Sequence, residues 1–493
     1  MKTYLLTCAT VALACAQPLA AETLIFGQTA TLPTLDPYNL SPAHEPINNT
    51  LYDALTRYDD QLVPQPRLAE SWEFSEDGTA LTLNLREGVT FHNGRAFTSQ
   101  DVANTVEHVL DPANGALIQS FAKRITSVET PDDMTVVLNF EAPFPGVFDL
   151  LELMYIADVE ASGDFSQTGI GTGPFALASH ASGTATNLQR NADYWDGAPT
   201  LDGIEIMTVP NQQATLLALR SGDIDMVTEL GYIDLVPFTR DGSFVTGDAP
   251  SGVAHDITIN SRSAPLDNVA VREAIDLAID RDRIARLLFG EFGQTLCLPF
   301  TEESLAYVAA QDDCRYDLDE AKTVLEGAGV DLPLSLRMLT STEVRTEYTT
   351  IAEIMQADLA KIGINLEIEN VDAVTYRRRY VQEQDFDLAS HAYGRAGKDP
   401  SSLLETTVVF KPEGNVSGFS DASYAEAVTQ GGSTPDNDAR RAAYAGASEF
   451  LRDSHHVLSL VSRPRLWVTS EDIEGVSFSA DGFAIFQNAT KAD

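Results

Sequence analysis

The sequence predicts an α/β fold: two α/β lobes closing on a ligand cleft, with an additional small α+β domain. Three observations lead there. Strands and helices alternate in two separate stretches, from Gly171 onward and again after Asn260. Hairpin signals cluster instead between about 58 and 165. The chain has 493 residues, and at ~150 residues per domain it has room for about three.

Residues 1–21 carry no acid. Lys2 supplies a positive start, Tyr4 to Ala16 an apolar run, and Leu19-Ala20-Ala21 small residues before Glu22. This is the pattern of a secretory signal peptide, too short to span a bilayer. Cys15 follows Ala12-Leu13-Ala14, but the aliphatic residue stands one place late for a lipoprotein site, so lipid anchoring is not expected. Cys297 and Cys314 remain after cleavage. In an oxidising compartment they are expected to form a disulfide, with two free thiols as the alternative.

Hydrophobic residues make up 44% and mean hydropathy is −0.10, which excludes disordered and multi-span membrane classes. The charge is unusual: 73 Asp+Glu against 32 Lys+Arg, a net −41. Since charged residues total only 21%, base is depleted rather than acid added. Such a surface repels phosphate backbones, so nucleic acid is not an expected partner.

Helical spacing runs from Ile47 through Leu51 to Leu55. Trp72 and Phe74, then Leu81, Leu83 and Leu85, alternate with polar residues around an Asp77-Gly78 turn, and Asn93-Gly94 marks another. Thr98 to Asp101 forms a capping box with Asp in place of Glu. It opens a helix with Val102, Val106 and Val109 on one face, ended by Asp111-Pro112. Met134 to Phe140 is a further strand. Gly169 to Gly173 is glycine-rich but followed by Pro174, so it lacks the helix start of a phosphate cradle and fits a backbone crossing or hinge. A strand over Ile204 to Val209, a helix from Gln212 closed by Gly222, and a strand at Ile224 to Val227 make a βαβ unit.

The second stretch has helices over Val271 to Ile279 and from Asp280 to Phe289. A third is capped by Asp317 and stops at Gly327. A strand over Leu334 to Leu339 follows, then a helix ended by Gly363, a strand at Ile364 to Ile368, and another beginning near Phe386.

No GxSxG, HExxH or Walker sequence is present, and the eight His are scattered. No catalytic residue, metal site or cofactor is expected. Two α/β lobes joined by crossing segments make a ligand cleft and suggest a hinge-closing binding protein.

Several motifs, in order along the chain, resemble one family. They are LYDALTRY at 51–58, LAESW at 68–72, LREGVTFHNG at 85–94 and FTSQDV at 97–102. They continue with GTGPF at 171–175, NADYW at 191–195, SGDID at 221–225, VREA at 271–274, AIDR at 278–281 and QADL at 356–359. The chain is similar to extracytoplasmic solute-binding proteins of ABC transporters, the peptide/nickel/opine class (family 5, dipeptide-binding-protein type).

The resemblance implies a periplasmic-binding-protein-like fold. Domain I would comprise 22–57, 166–262 and 478–493, domain II 58–165, and domain III 263–477. It implies a periplasmic, monomeric protein that captures a small solute, peptide or opine-like, for permease subunits in the cytoplasmic membrane. Metal chelates or glycosides are alternatives on the same fold, and a secreted hydrolase is a more distant one.

Tyr393 and Asp399-Pro400 fit the family loop in which an Asp pairs with a peptide's α-ammonium, but Ala396 holds that Asp's place. Its neighbours Arg395 and Lys398 would suit an anionic group on the ligand. Arg345 lies near the place of a carboxylate-binding Arg in the peptide binders. Tyr38, Thr172, Arg345, Tyr393, Arg395 and Asp399 are therefore the expected binding residues.

Overall fold

The computed structural model describes residues 22–39, 44–161, 165–394 and 398–492. The expected signal peptide with Cys15, and also Arg395 and Ala396, lie outside the described residues.

One long sheet runs through both lobes. In the first lobe Thr23–Gln28 is central. It pairs in parallel with Gly203–Thr208 on one side and Met226–Leu230 on the other. The βαβ unit expected from 204 to 227 is therefore present, but its two strands straddle the N-terminal strand instead of touching. Ala185–Arg190 and Phe175–Ala181 extend this half antiparallel. In the second lobe Leu388–Tyr393, Leu334–Thr340 and Ile364–Asn370 follow each other, the last two pairs parallel.

Two antiparallel strands join the lobes, Phe244–Ile259 and Val457–Ser470. A strand of 16 residues spans about 50 Å, enough to cross from one lobe into the other. Their register shifts between Ala249 and Val253, opposite Arg465 and Arg463. Such a bulge bends a strand and re-aims its side chains. Here it falls where the chain passes between lobes.

The segment from 69 to 140 forms a separate four-stranded antiparallel sheet. Leu81, Leu83 and Leu85 point inward with Val136 and Leu138, against Val102, Val106 and Val109 of the helix Ser99–Leu110. Thr98 and Asp101 complete the reciprocal capping box.

Gly171 and Gly173 form a backbone crossing. A Cβ on Gly173 would lie 2.4 Å from the carbonyl oxygen of Thr50, and one on Gly171 2.0 Å from that of Leu51. Only glycine permits this approach.

Two element ends differ from expectation. The first helix is Glu45–Leu51, and Leu55 lies beyond it because Tyr52 is already extended at φ −127°. The helix Leu318–Ala328 passes through Gly327 and stops at Gly329, whose φ of +70° supplies the left-handed cap.

Cys297 and Cys314 are bonded, with Cα atoms 5.3 Å apart. A cross-link over a loop of this length stabilises by about 3 kcal/mol in the chain-entropy model. Cys297→Ser is expected to lower the urea unfolding midpoint accordingly; an unchanged midpoint would show that the loop is ordered without the bond. Among the described residues no helix is long and apolar enough to cross a membrane.

Candidate functional site

A cavity of about 820 Å³ opens where the two linking strands bulge. Asp248 to Gly252 and Ser462 to Pro464 form its floor. The second lobe contributes Asp282 and Arg286 from the helix Arg281–Phe289, the short strand Gln294–Thr295, and Phe300 to Glu303. Asp59, Asp60 and Leu62 reach in from the turn between Thr56–Tyr58 and Pro64–Pro66. Leu62 adopts φ +54°, uncommon for a bulky residue. The Asp59 carboxylate holds this turn by accepting the backbone N–H groups of Gln61 and Val63.

The lining is acidic. Asp59, Asp60, Asp248, Asp282, Glu302, Glu303 and Asp312 face Arg286 and Arg463. Arg463 is already engaged, 2.6 Å from Glu229 and 3.4 Å from Glu347.

That pairing belongs to a ladder of charges between the lobes. Glu45 and Glu229 of the first lobe meet Arg465 on the linking strand, with Glu229 at 2.7 Å. Glu229 also meets Arg463, and Arg463 reaches Glu347 at the start of the helix Thr346–Leu359. Glu229 stands at φ +60°, where its strand slips register against Val457–Ser470. A left-handed backbone is costly for a side-chain-bearing residue, and here two ion pairs offset it. Burial pushes the Glu229 carboxyl up, but Arg463 and Arg465 outweigh it and hold it below the usual range. Glu45 is buried more deeply, and burial raises it to about 7 against the pull of Arg465.

The expected binding residues are mostly used by the protein itself. Tyr38 is fully buried, donates its hydroxyl to the Tyr155 carbonyl at 2.8 Å, and packs in the core of the small domain. Thr172 is buried at the glycine crossing and donates to Asp53. Tyr393 is buried with its ring edge on Phe410 and its hydroxyl 3.2 Å from that of Ser459. Asp399 accepts from Arg440 at both carboxylate oxygens and from the Ser401 N–H that begins the helix Pro400–Leu404. In this structure these four pack and cap within the fold, and none of them lines the cavity. Arg345 is half-buried as the cap residue of Thr346–Leu359, where it hydrogen-bonds Tyr348 and faces Glu229 across the lobes. It does not line the cavity.

Lys398 is no anion handle. Its ammonium is buried between Glu152 of the small domain and Asp481 of the C-terminal segment, 2.7 Å from the latter. Burial alone would push it down, but Asp481, Glu152 and Asp149 carry it well above its ordinary range.

The cavity carboxylates and the pair Arg463 and Arg465 are absent from the sequence-based expectation. Arg463-Pro464-Arg465 did carry a signal: two bases close together in a chain poor in them.

The model of "Bacterial extracellular solute-binding proteins, family 5 Middle" matches residues 63–413. The chain is 25% identical over 437 residues to Di/tripeptide-binding protein 2 of Pseudomonas aeruginosa (strain UCBPP-PA14), covering 82% of each. It is 26% identical over 362 residues to the glutathione-binding protein GsiB of Escherichia coli (strain K12), covering 72% of this chain and 70% of that one. Among solved structures, the ABC transporter substrate-binding protein CtaP of Listeria monocytogenes superposes with a TM-score of 0.87. That match covers 96% of this chain and all of CtaP at 21% identity, a likeness of fold. With the family match running over most of its length, across the small domain and into the second lobe, the chain belongs to the bacterial extracellular solute-binding proteins of family 5.

Proposed function

We propose that the protein is the solute-capturing component of an ABC importer, and that its solute is a short peptide or peptide-like compound held in the 820 Å³ cavity. One observation carries this reading. Both linking strands, the second lobe and the small domain converge on one concave space where the sheet passes between lobes. Interdomain clefts of this size are where small ligands bind, and closing the lobes would expel water from around the solute. The relatives named for di/tripeptides and for glutathione, itself a tripeptide, favour the peptide class. The protein acts as a monomer outside the cytoplasmic membrane and hands its solute to permease subunits. It binds without turning its ligand over.

Mass spectrometry of the compound released on denaturing the purified protein tests this. A short peptide or amino-acid conjugate is the expected finding. A metal chelate or a sugar would overturn the peptide class, and recovery of cleaved products from an added solute would overturn pure binding.

A further inference from the structure

We infer that the captured solute is a cation, a short peptide with a basic side chain, and not the anionic ligand that Arg395 and Lys398 suggest from sequence. This rests on the cavity being the solute site.

The carboxylates reach the cavity from separate parts of the chain: Asp60 from the small domain, Asp248 from a linking strand, Asp282 from a helix start, Glu302 and Glu303 from the second-lobe loop. They converge through the fold, unlike an acidic run on one surface. Among the described residues none of these five is paired with a lysine or arginine. The two bases in the lining do not balance them. Arg463 is spent on Glu229 and Glu347, which leaves Arg286. Asp248 is partly desolvated, and burial without a counter-charge raises its carboxyl.

The five carboxylates are exposed to solvent, and a concave space lined mainly by one sign of charge raises the local concentration of the opposite ion. A solute carboxylate brought in would lose hydration and meet like charge. An ammonium or guanidinium would gain charge-assisted hydrogen bonds. Lys398, one of the two bases in the family's peptide loop, does not reverse this, because Glu152 and Asp481 already neutralise it.

Isothermal titration of the purified protein with the tripeptides Ala-Lys-Ala, Ala-Gln-Ala and Ala-Glu-Ala tests the inference. The lysine peptide is expected to bind at least about ten-fold tighter than the glutamate peptide, with an advantage that shrinks as salt screens the field. The triple variant Asp248→Asn, Glu302→Gln, Glu303→Gln should lose most of that preference while keeping its melting temperature. Equal or tighter binding of Ala-Glu-Ala, or a preference unchanged in the triple variant, would overturn the inference and leave peptide capture standing. If no tripeptide binds, peptide capture itself is overturned, and the inference with it.

Discussion

Lys398→Met is expected to destabilise the protein by ~3–5 kcal/mol, the cost of leaving a buried charge without its partner. The lysine joins three parts of the chain: its own loop in the second lobe, Glu152 of the small domain and Asp481 near the C-terminus. It is 3% exposed and Glu152 6%, so water does not replace the lost ammonium. Asp149 lies in the same buried group. Burial raises it to about 6 even with Lys398 pulling it down. Glu152 is raised for the same reason, again against Lys398. Without the lysine both carboxyls move further up.

A carboxyl whose pKa is raised by folding favours the folded state while protonated, and that contribution is lost as pH rises through the folded value. The deficit of Lys398→Met should therefore grow from about pH 5 to about pH 8. Urea unfolding at the two pH values checks both magnitude and sign. Adding Glu152→Gln and Asp481→Asn should recover part of the loss. A midpoint equal to wild type would show that this ion group does not hold the three parts together.

Arg465→Ala should cost a similar ~3–5 kcal/mol. Arg465 is 8% exposed and Glu45 3%, and the same guanidinium serves Glu229. Glu45 is already raised by burial from 4.5 to about 7. Its contribution to stability is full below about 4.5 and is lost as pH rises through about 7. Removing Arg465 lifts it further, so this deficit too should widen toward alkaline pH. Glu229, held at φ +60° with two guanidiniums, would keep only Arg463. Thermal melts of the variant between about pH 5 and pH 8 should show the divergence. Parallel curves would place the ladder's energy elsewhere.

Local chemistry was legible in the sequence wherever a short segment determines its own shape. The Thr98 to Asp101 box caps its helix because both partners lie three residues apart. The glycines at 171 and 173 announced a crossing, although not that Thr50 and Leu51 would be the strand of chain crossed. The βαβ unit was visible, but not the N-terminal strand inserted between its strands, since that pairing joins Phe26 to Met226 across the sequence.

The site was less legible for the same reason. The sequence pointed to the loop at 393–399 as a place of ligand contact. The described groups Lys398 and Asp399 are engaged within the fold, because partners such as Arg440, Glu152 and Asp481 arrive from remote segments. The cavity acids stand far apart along the chain, and in so acidic a sequence no single Asp or Glu is conspicuous.

Solute capture in the interlobe cavity is tested most directly by titrating short peptides into the wild-type protein and into Thr295→Trp. Thr295 lies on the cavity's edge strand beside Val461, where an indole would narrow the space. The expected result is one peptide bound per wild-type chain and markedly weaker binding by the narrowed variant at an unchanged melting temperature. Equal binding by both, or no binding by the folded wild type, would contradict peptide capture in this cavity.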